Sequence, residues 1–126
     1  MSARVLIVDD HAPFRALARR LLTADGFDIV GEAADGASAI DAARALRPDV
    51  VLLDVQLPDV DGFRVAEALT DDPPSPAVVL VSSRSGGDYG SRLTTSPARG
   101  FIPKADLSGA GLQRVLDGLA SGPHRG

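Results

Sequence analysis

Four apolar runs each stop at a polar side chain, and this repeated punctuation leaves the chain very few folds. Val5-Leu6-Ile7-Val8 stops at Asp9-Asp10, and Val50-Val51-Leu52-Leu53 stops at Asp54. Val78-Val79-Leu80-Val81 stops at Ser82, and Gly100-Phe101-Ile102-Pro103 stops at Lys104. A short continuous aliphatic and β-branched run is what a strand covered on both faces requires. If these runs are neighbouring parallel strands, their polar ends meet at one edge of a sheet. That edge then holds three carboxylates, a hydroxyl and an ammonium, a set suited to handling a phosphoryl group on a metal ion. Lys104 is the only lysine among 13 cationic Lys and Arg side chains.

Helical stripes alternate with the strands. Phe14, Leu17, Ala18, Leu21 and Leu22 fall at i, i+3, i+4, i+7 and i+8, the face of a core-seeking helix. Pro13 suits its first turn and Asp25-Gly26 its end. Residues 27–33 read as a more polar strand at an edge. Ala37, Ile40, Ala43 and Leu46 predict a second helix, stopped by Pro48. A third helix is predicted from Asp61 to Leu69, and strands over 77–82 and 99–103. Ser108 reads as the N-cap of a last helix that carries Leu112, Val115, Leu116 and Leu119 on one face. Between the last two strands, Gly86, Gly87 and Gly90 each cost about 1 kcal/mol relative to Ala in a helix. Only Tyr89 and Leu93 offer an apolar pair there, so the fourth helix is predicted to be short, mobile or partly formed.

The alternation implies an α/β fold: a five-stranded parallel sheet with five helices on its two faces, a flavodoxin-like three-layer sandwich. The common strand order for this architecture is 2-1-3-4-5, with a ligand site beyond strands one and three, where the order reverses. Those strands end in Asp9-Asp10 and Asp54. A length of 126 residues fits one domain, read as residues 1–120 with a tail over 121–126. With no cysteine, disulfides, thiolate metal sites and cysteine nucleophiles are excluded. A net charge of −4 carries no footprint of a polyanion partner, and direct contact with nucleic acid is not expected. No apolar stretch approaches the roughly 20 residues needed to cross a bilayer, so a soluble cytoplasmic protein is the expectation.

In this order and at these strand ends, the residues resemble the receiver domain of bacterial two-component response regulators. The resemblance runs from Arg4 to about Leu119. It is carried by Val8-Asp9-Asp10-His11, by residues 49–58 around Asp54, by Asp61-Gly62, by Val81-Ser82 and by residues 100–104. The Gly31–Gly36 stretch looks most like the subgroup with helix-turn-helix output domains. The resemblance implies that Asp54 accepts a phosphoryl group from a histidine kinase or phosphotransfer protein. It implies that Asp9, Asp10, Asp54 and the Gln56 backbone carbonyl hold Mg²⁺. Lys104 would pair with the phosphate, Ser82 and Phe101 would form the conformational switch, and Gln56 and Arg84 would tune the phosphoryl lifetime. Ser82 is expected to gain a partner only when phosphate is present, and Phe101 then to turn inward. His11 is expected to lie exposed beside the site without binding metal, since Mg²⁺ favours oxygen. Many relatives carry proline directly after the lysine; here Pro103 precedes Lys104 and Ala105 follows, so that loop differs.

Other readings of the same residues remain open at this point. Aspartates at strand ends are common turn residues, and Ser82 begins the polar stretch Ser82-Ser83-Arg84-Ser85. A degenerate receiver would bind partners without phosphorylation. A Mg²⁺-dependent phosphohydrolase with Asp54 as nucleophile needs a general acid, which Gln56 cannot be, and a substrate cap. A flavodoxin-like cofactor module is disfavoured by the acidic first loop. The partner is expected to be a downstream protein or a DNA-binding output domain, with a homodimer possible. A stand-alone receiver is the preferred reading over the front half of a transcription factor.

Overall fold

The computed structural model describes residues 2–71, 73–84 and 86–118. Strands β1 (Arg4–Val8), β2 (Asp28–Ala33), β3 (Val50–Asp54), β4 (Ala77–Ser82) and β5 (Gly100–Pro103) alternate with helices α1 (Ala12–Ala24), α2 (Gly36–Leu46), α3 (Gly62–Thr70), α4 (Ser91–Thr95) and α5 (Gly109–Leu116). All strand pairs are parallel, in the order β2-β1-β3-β4-β5. The predicted architecture and strand order are those observed.

Successive side chains along a strand point to opposite faces, and this divides the apolar runs between two cores. Val5, Ile7, Val50, Leu52, Val79 and Val81 pack with α1 and α5 through Ala18, Leu22, Leu112 and Val115. Leu6, Val8, Val51, Leu53, Val78 and Leu80 pack with α2 and α3 through Ala39, Phe63, Val65 and Leu69. Leu6, Ile7, Leu52, Leu53 and Leu80 are almost wholly buried; each such side chain contributes roughly 1.5–3 kcal/mol of burial energy. This is why the central strands carry no polar residue until their carboxyl ends.

Local chemistry fixes the helix ends. Asp35, Asp61 and Ser108 each accept a backbone N–H of the first turn of α2, α3 and α5. Asp61 is thus the cap of α3 rather than its first residue. Helix α2 ends at Leu46, because a residue before proline avoids the helical region; Arg47 there turns left-handed at φ 47°. Helix α4 has five residues after a separate 3-10 turn over Gly86–Asp88, the short element that the glycines predict. Tyr89 and Leu93 still pack on the second core. Strands β2 and β5 each begin one residue later than predicted. Leu119 and the 120/121 boundary lie outside the described residues. Among the described residues, no helix is long and apolar enough to cross a membrane.

One close approach positions the site. A Cβ on Gly62 would collide with the Asp54 carbonyl oxygen and lie 2.8 Å from the Val55 Cα. The start of α3 is therefore pressed against the end of β3, and Gly62 N–H donates to the Val55 carbonyl at 2.7 Å. Backbone cannot retreat as a flexible side chain can. Gly62→Ala is expected to lose about 3 kcal/mol, the upper end for overpacking, read as a lowered urea midpoint.

Candidate functional site: an acidic cluster with one lysine

The register Val8↔Leu53 sets the first residues beyond β1 alongside the end of β3. Asp9 and Asp54 thereby become neighbours, although 45 positions separate them in the chain. Asp9 is fully buried and Asp54 is 3% exposed. Asp10 and His11 are exposed on the same rim, and ligand atoms of Asp9, Asp10, His11 and Asp54 all lie within 4.8 Å of one another.

Lys104 comes from the far edge, just past β5, and its Nζ lies 2.6 Å from Asp9 Oδ2 and 3.4 Å from Asp54 Oδ2. The ammonium also sits 4.7 Å from the centre of the Phe14 ring, a cation–π contact. Lys104 is thus held by two carboxylates and one aromatic face, and it lies on the same rim as Asp10. Asp9 Oδ2 is nevertheless buried without a well-directed hydrogen bond, since its approach to Lys104 is an ion pair only.

The remaining atoms of the cluster are tied from below. The N–H of His11 donates to Asp9 Oδ1 at 2.8 Å, and that of Gln56 donates to Asp54 Oδ1 at 3.2 Å. Arg15 donates to the Asp9 carbonyl at 2.6 Å and pairs with Glu32 on β2, as does Arg19. The hydrogen bond from Arg19 is the main cause holding the Glu32 carboxyl below its ordinary pKa, with Arg15 adding to it. Asp59 accepts from Gly36 and Ala37, fastening the loop after β3 to the start of α2.

Burial raises the Asp54 pKa above its ordinary value, and the nearby Asp9 carboxylate raises it further; the Gln56 N–H and Lys104 oppose this. Such a carboxylate is starved of positive charge. The donor set fits a hard divalent cation: carboxylate oxygens, one of them buried without a hydrogen bond, on a rim open to water through Asp10. His11 Nδ1 stands 3.3 Å from oxygens of both Asp9 and Asp10 and is 70% exposed. It is exposed, as the sequence suggests, but one of its ring nitrogens is among the four ligand atoms of the cluster rather than outside it.

The other candidates are placed as follows. Ser82 is fully buried at the end of β4. Its Oγ accepts the Arg84 N–H at 3.0 Å and lies 2.5 Å from the Tyr89 hydroxyl. The expectation that Ser82 lacks a partner until phosphate arrives is therefore corrected: the chain supplies two. Phe101 packs on the second core, edge-on to Tyr89 with ring centres 5.8 Å apart. Gln56 and Arg84 are exposed, two residues after Asp54 and Ser82. Lys104–Asp106 forms a 3-10 turn, with Ala105 at its centre. Sequence reading missed the hydroxyl of Tyr89 and the second role of Phe14, because both residues also serve an apolar stripe.

The sequence matches the response regulator receiver domain family over residues 5–114. It is 36% identical over 117 residues to the response regulator GacA of Pseudomonas viridiflava, covering 92% of this chain and 53% of that protein. It is 34% identical over 101 residues to the DNA-binding transcriptional activator EvgA of Escherichia coli K12, covering 80% of this chain and 50% of that protein. The chain spans about half the length of these curated relatives. A solved two-component response regulator of the LuxR family from Aurantimonas sp. SI85-9A1 superposes with a TM-score of 0.83 at 26% identity, covering 96% of this chain and 87% of that one. Receiver domains bind Mg²⁺ at an acidic pocket, and the pocket formed here by Asp9, Asp10 and Asp54 has the oxygen donors for it. With a sheet in the order 2-1-3-4-5, an acidic cluster at its switch point and a family match over most of its length, this chain belongs to the receiver domains of two-component response regulators.

Proposed function

We propose that Asp54 is the phosphoacceptor of this receiver, and that its phosphorylation by a histidine kinase or phosphotransfer protein changes the surface offered to an output partner. The observation that carries this reading is the meeting of Asp9, Asp10 and Asp54 on one rim with the Lys104 ammonium 3.4 Å from Asp54 Oδ2.

Phosphoryl transfer asks little covalent chemistry of a protein; positioning and charge stabilisation dominate. An Asp54 oxygen forms the new bond to phosphorus as the bond from phosphorus to the donor's nitrogen or oxygen breaks, and the leaving group keeps that electron pair. Lys104 is placed to neutralise one phosphoryl oxygen, as a compact point charge on a flexible stem. The Ser82 hydroxyl is the group we assign to another. Gln56 N–H orients the Asp54 carboxylate. Asp9, Asp10, Asp54 and the Gln56 carbonyl are the groups we assign to Mg²⁺, which when bound supplies positive charge to the transferring group. To Gln56 and Arg84, exposed two residues after Asp54 and Ser82, we assign control of the phosphoryl lifetime.

The catalysis we assign to this domain is confined to its own phosphorylation and dephosphorylation, in the cytoplasm. A net charge of −4 disfavours direct contact with nucleic acid. The output partner we propose is a DNA-binding unit of the kind named in EvgA or a separate downstream protein, with self-association as a further mode.

Incubation with acetyl phosphate and Mg²⁺ is expected to add one phosphoryl group to most of the protein by intact mass. Excess chelator is expected to suppress it at least tenfold, since the acidic cluster would then face the incoming phosphate with Lys104 alone. Labelling that is indifferent to the chelator would show that the cluster is not a metal site.

A further inference from the structure

Tyr89 is the sole tyrosine of a chain without tryptophan, and no role at the site described above requires it. It sits between the 3-10 turn Gly86–Asp88 and α4. Its ring stands edge-on to Phe63 on one side, centres 5.7 Å apart at 65°, and to Phe101 on the other, 5.8 Å at 62°. Its hydroxyl reaches back 2.5 Å to Ser82 Oγ, at the short end for two hydroxyls. Ser82 is fully buried and Tyr89 half-buried, so the bond lies at the edge of the core.

A serine hydroxyl has one hydrogen to give and two positions at which to accept. Ser82 Oγ already accepts from the Arg84 N–H, and Tyr89 occupies a second place. A deprotonated phosphoryl oxygen only accepts, so Ser82 can serve it only by directing its single hydrogen there. Either hydroxyl of the Ser82–Tyr89 pair can donate, and where Ser82 gives its hydrogen to the Tyr89 oxygen, phosphate and tyrosine compete for that hydrogen. Phe101, which stands where the resemblance puts the switch aromatic, has no hydroxyl with which to follow Ser82. Tyr89 has one, and its ring touches Phe101.

Resting on the reading of Asp54 as phosphoacceptor, we propose that Tyr89 is a positioning residue: a latch whose oxygen accepts the Ser82 hydroxyl hydrogen in the unphosphorylated protein and which is released when Ser82 turns that hydrogen to a phosphoryl group on Asp54. Release frees one end of the Phe63–Tyr89–Phe101 row. Arg92 of α4 lies 4.3 Å over the Phe63 ring and pairs with Asp61, the cap of α3. The state of Ser82 is thereby passed to the exposed surface of α4. An equilibrium is shifted only by differential contact with its two states, and the Ser82–Tyr89 bond is a contact that only the resting state makes.

Because Tyr89 is the one tyrosine and there is no tryptophan, tyrosine emission of the intact protein comes from Tyr89 alone. Ser82→Ala is expected to change that emission without any phosphodonor, and Tyr89→Phe, which keeps both ring contacts, is expected to speed acetyl phosphate labelling roughly fivefold, the population factor of one net hydrogen bond. In the wild type, labelling with Mg²⁺ present is expected to move the emission toward that of Ser82→Ala, with no further movement in Ser82→Ala itself. Emission unchanged by Ser82→Ala, equal labelling rates in Tyr89→Phe and wild type, or unchanged emission in a wild-type sample fully phosphorylated by mass would each overturn the latch while leaving the receiver reading intact. A wild-type sample that takes up no phosphoryl mass would instead overturn the reading of Asp54, and the latch release with it.

Discussion

Asp54→Asn is expected to take up no phosphoryl group from acetyl phosphate under conditions that label the wild type. An amide oxygen lacks the charge and basicity to form the bond to phosphorus, and no other carboxylate of the cluster sits between Lys104 and the Gln56 N–H. Intact mass checks this, and undiminished labelling would move the acceptor elsewhere. The same variant carries a second expectation, of opposite sign for the fold. Burial, and then the Asp9 carboxylate, raise the folded pKa of Asp54 above its ordinary 3.8. A raised carboxyl pKa means that the folded state binds its proton more tightly than the unfolded state does. The associated stability is full below about pH 3.8 and is lost as pH rises through the folded value. Without metal, Asp54→Asn should therefore melt higher than the wild type at pH 7, and the difference should vanish in the acid range. A wild type that melts higher than the variant in chelator at pH 7 would contradict the charge balance described here.

Lys104→Met is expected to lose about 3 kcal/mol of stability. The substitution keeps an unbranched stem but deletes the ammonium 2.6 Å from Asp9 Oδ2 and 3.4 Å from Asp54 Oδ2. Both carboxylates are buried, and removing one partner of a buried pair costs about 3–5 kcal/mol because the other charge is stranded. Lys104 is 15% exposed, so water reaches it and about 3 kcal/mol is the appropriate figure. The loss should be measured by urea unfolding at pH 7 in chelator. Millimolar Mg²⁺ should recover part of it, since a ligand that binds only the folded state stabilises it by mass action. A variant as stable as wild type in chelator would mean that Lys104 does not balance the cluster. Phosphorylation should remain impaired even where Mg²⁺ restores the fold, because the second source of positive charge is still missing.

Much of this was legible in the sequence for one physical reason. A strand buried on both faces can hold no polar residue until it leaves the sheet, so the polar residues marking strand ends also mark the rim. Val5–Val8 with Asp9-Asp10 and Val50–Leu53 with Asp54 state the fold and the site in the same eleven residues. The glycines at 86, 87 and 90 likewise announce the five-residue α4. Tyr89 was less readable. Its i, i+4 spacing to Leu93 marks a core position, and nothing in a linear pattern tells which way a phenol hydroxyl at the edge of that core will point. Ser82 was misjudged for the same reason: its partner approaches from a loop whose path no periodicity fixes. Gly62 had a signal in the pair Asp61-Gly62, but its collision with the Asp54 carbonyl is a fact of three dimensions.

The order of strands in the sheet has a consequence for how the molecule is put together. Strands β1 and β3, which carry the acids, lie side by side, while the lysine follows β5 at the far edge, 50 positions beyond Asp54. A nascent chain, growing from its amino end, carries all three acids through some 50 residues of synthesis before the lysine that balances them is made. The balance of charge at the rim is thus completed only by the last strand, or by a bound ion.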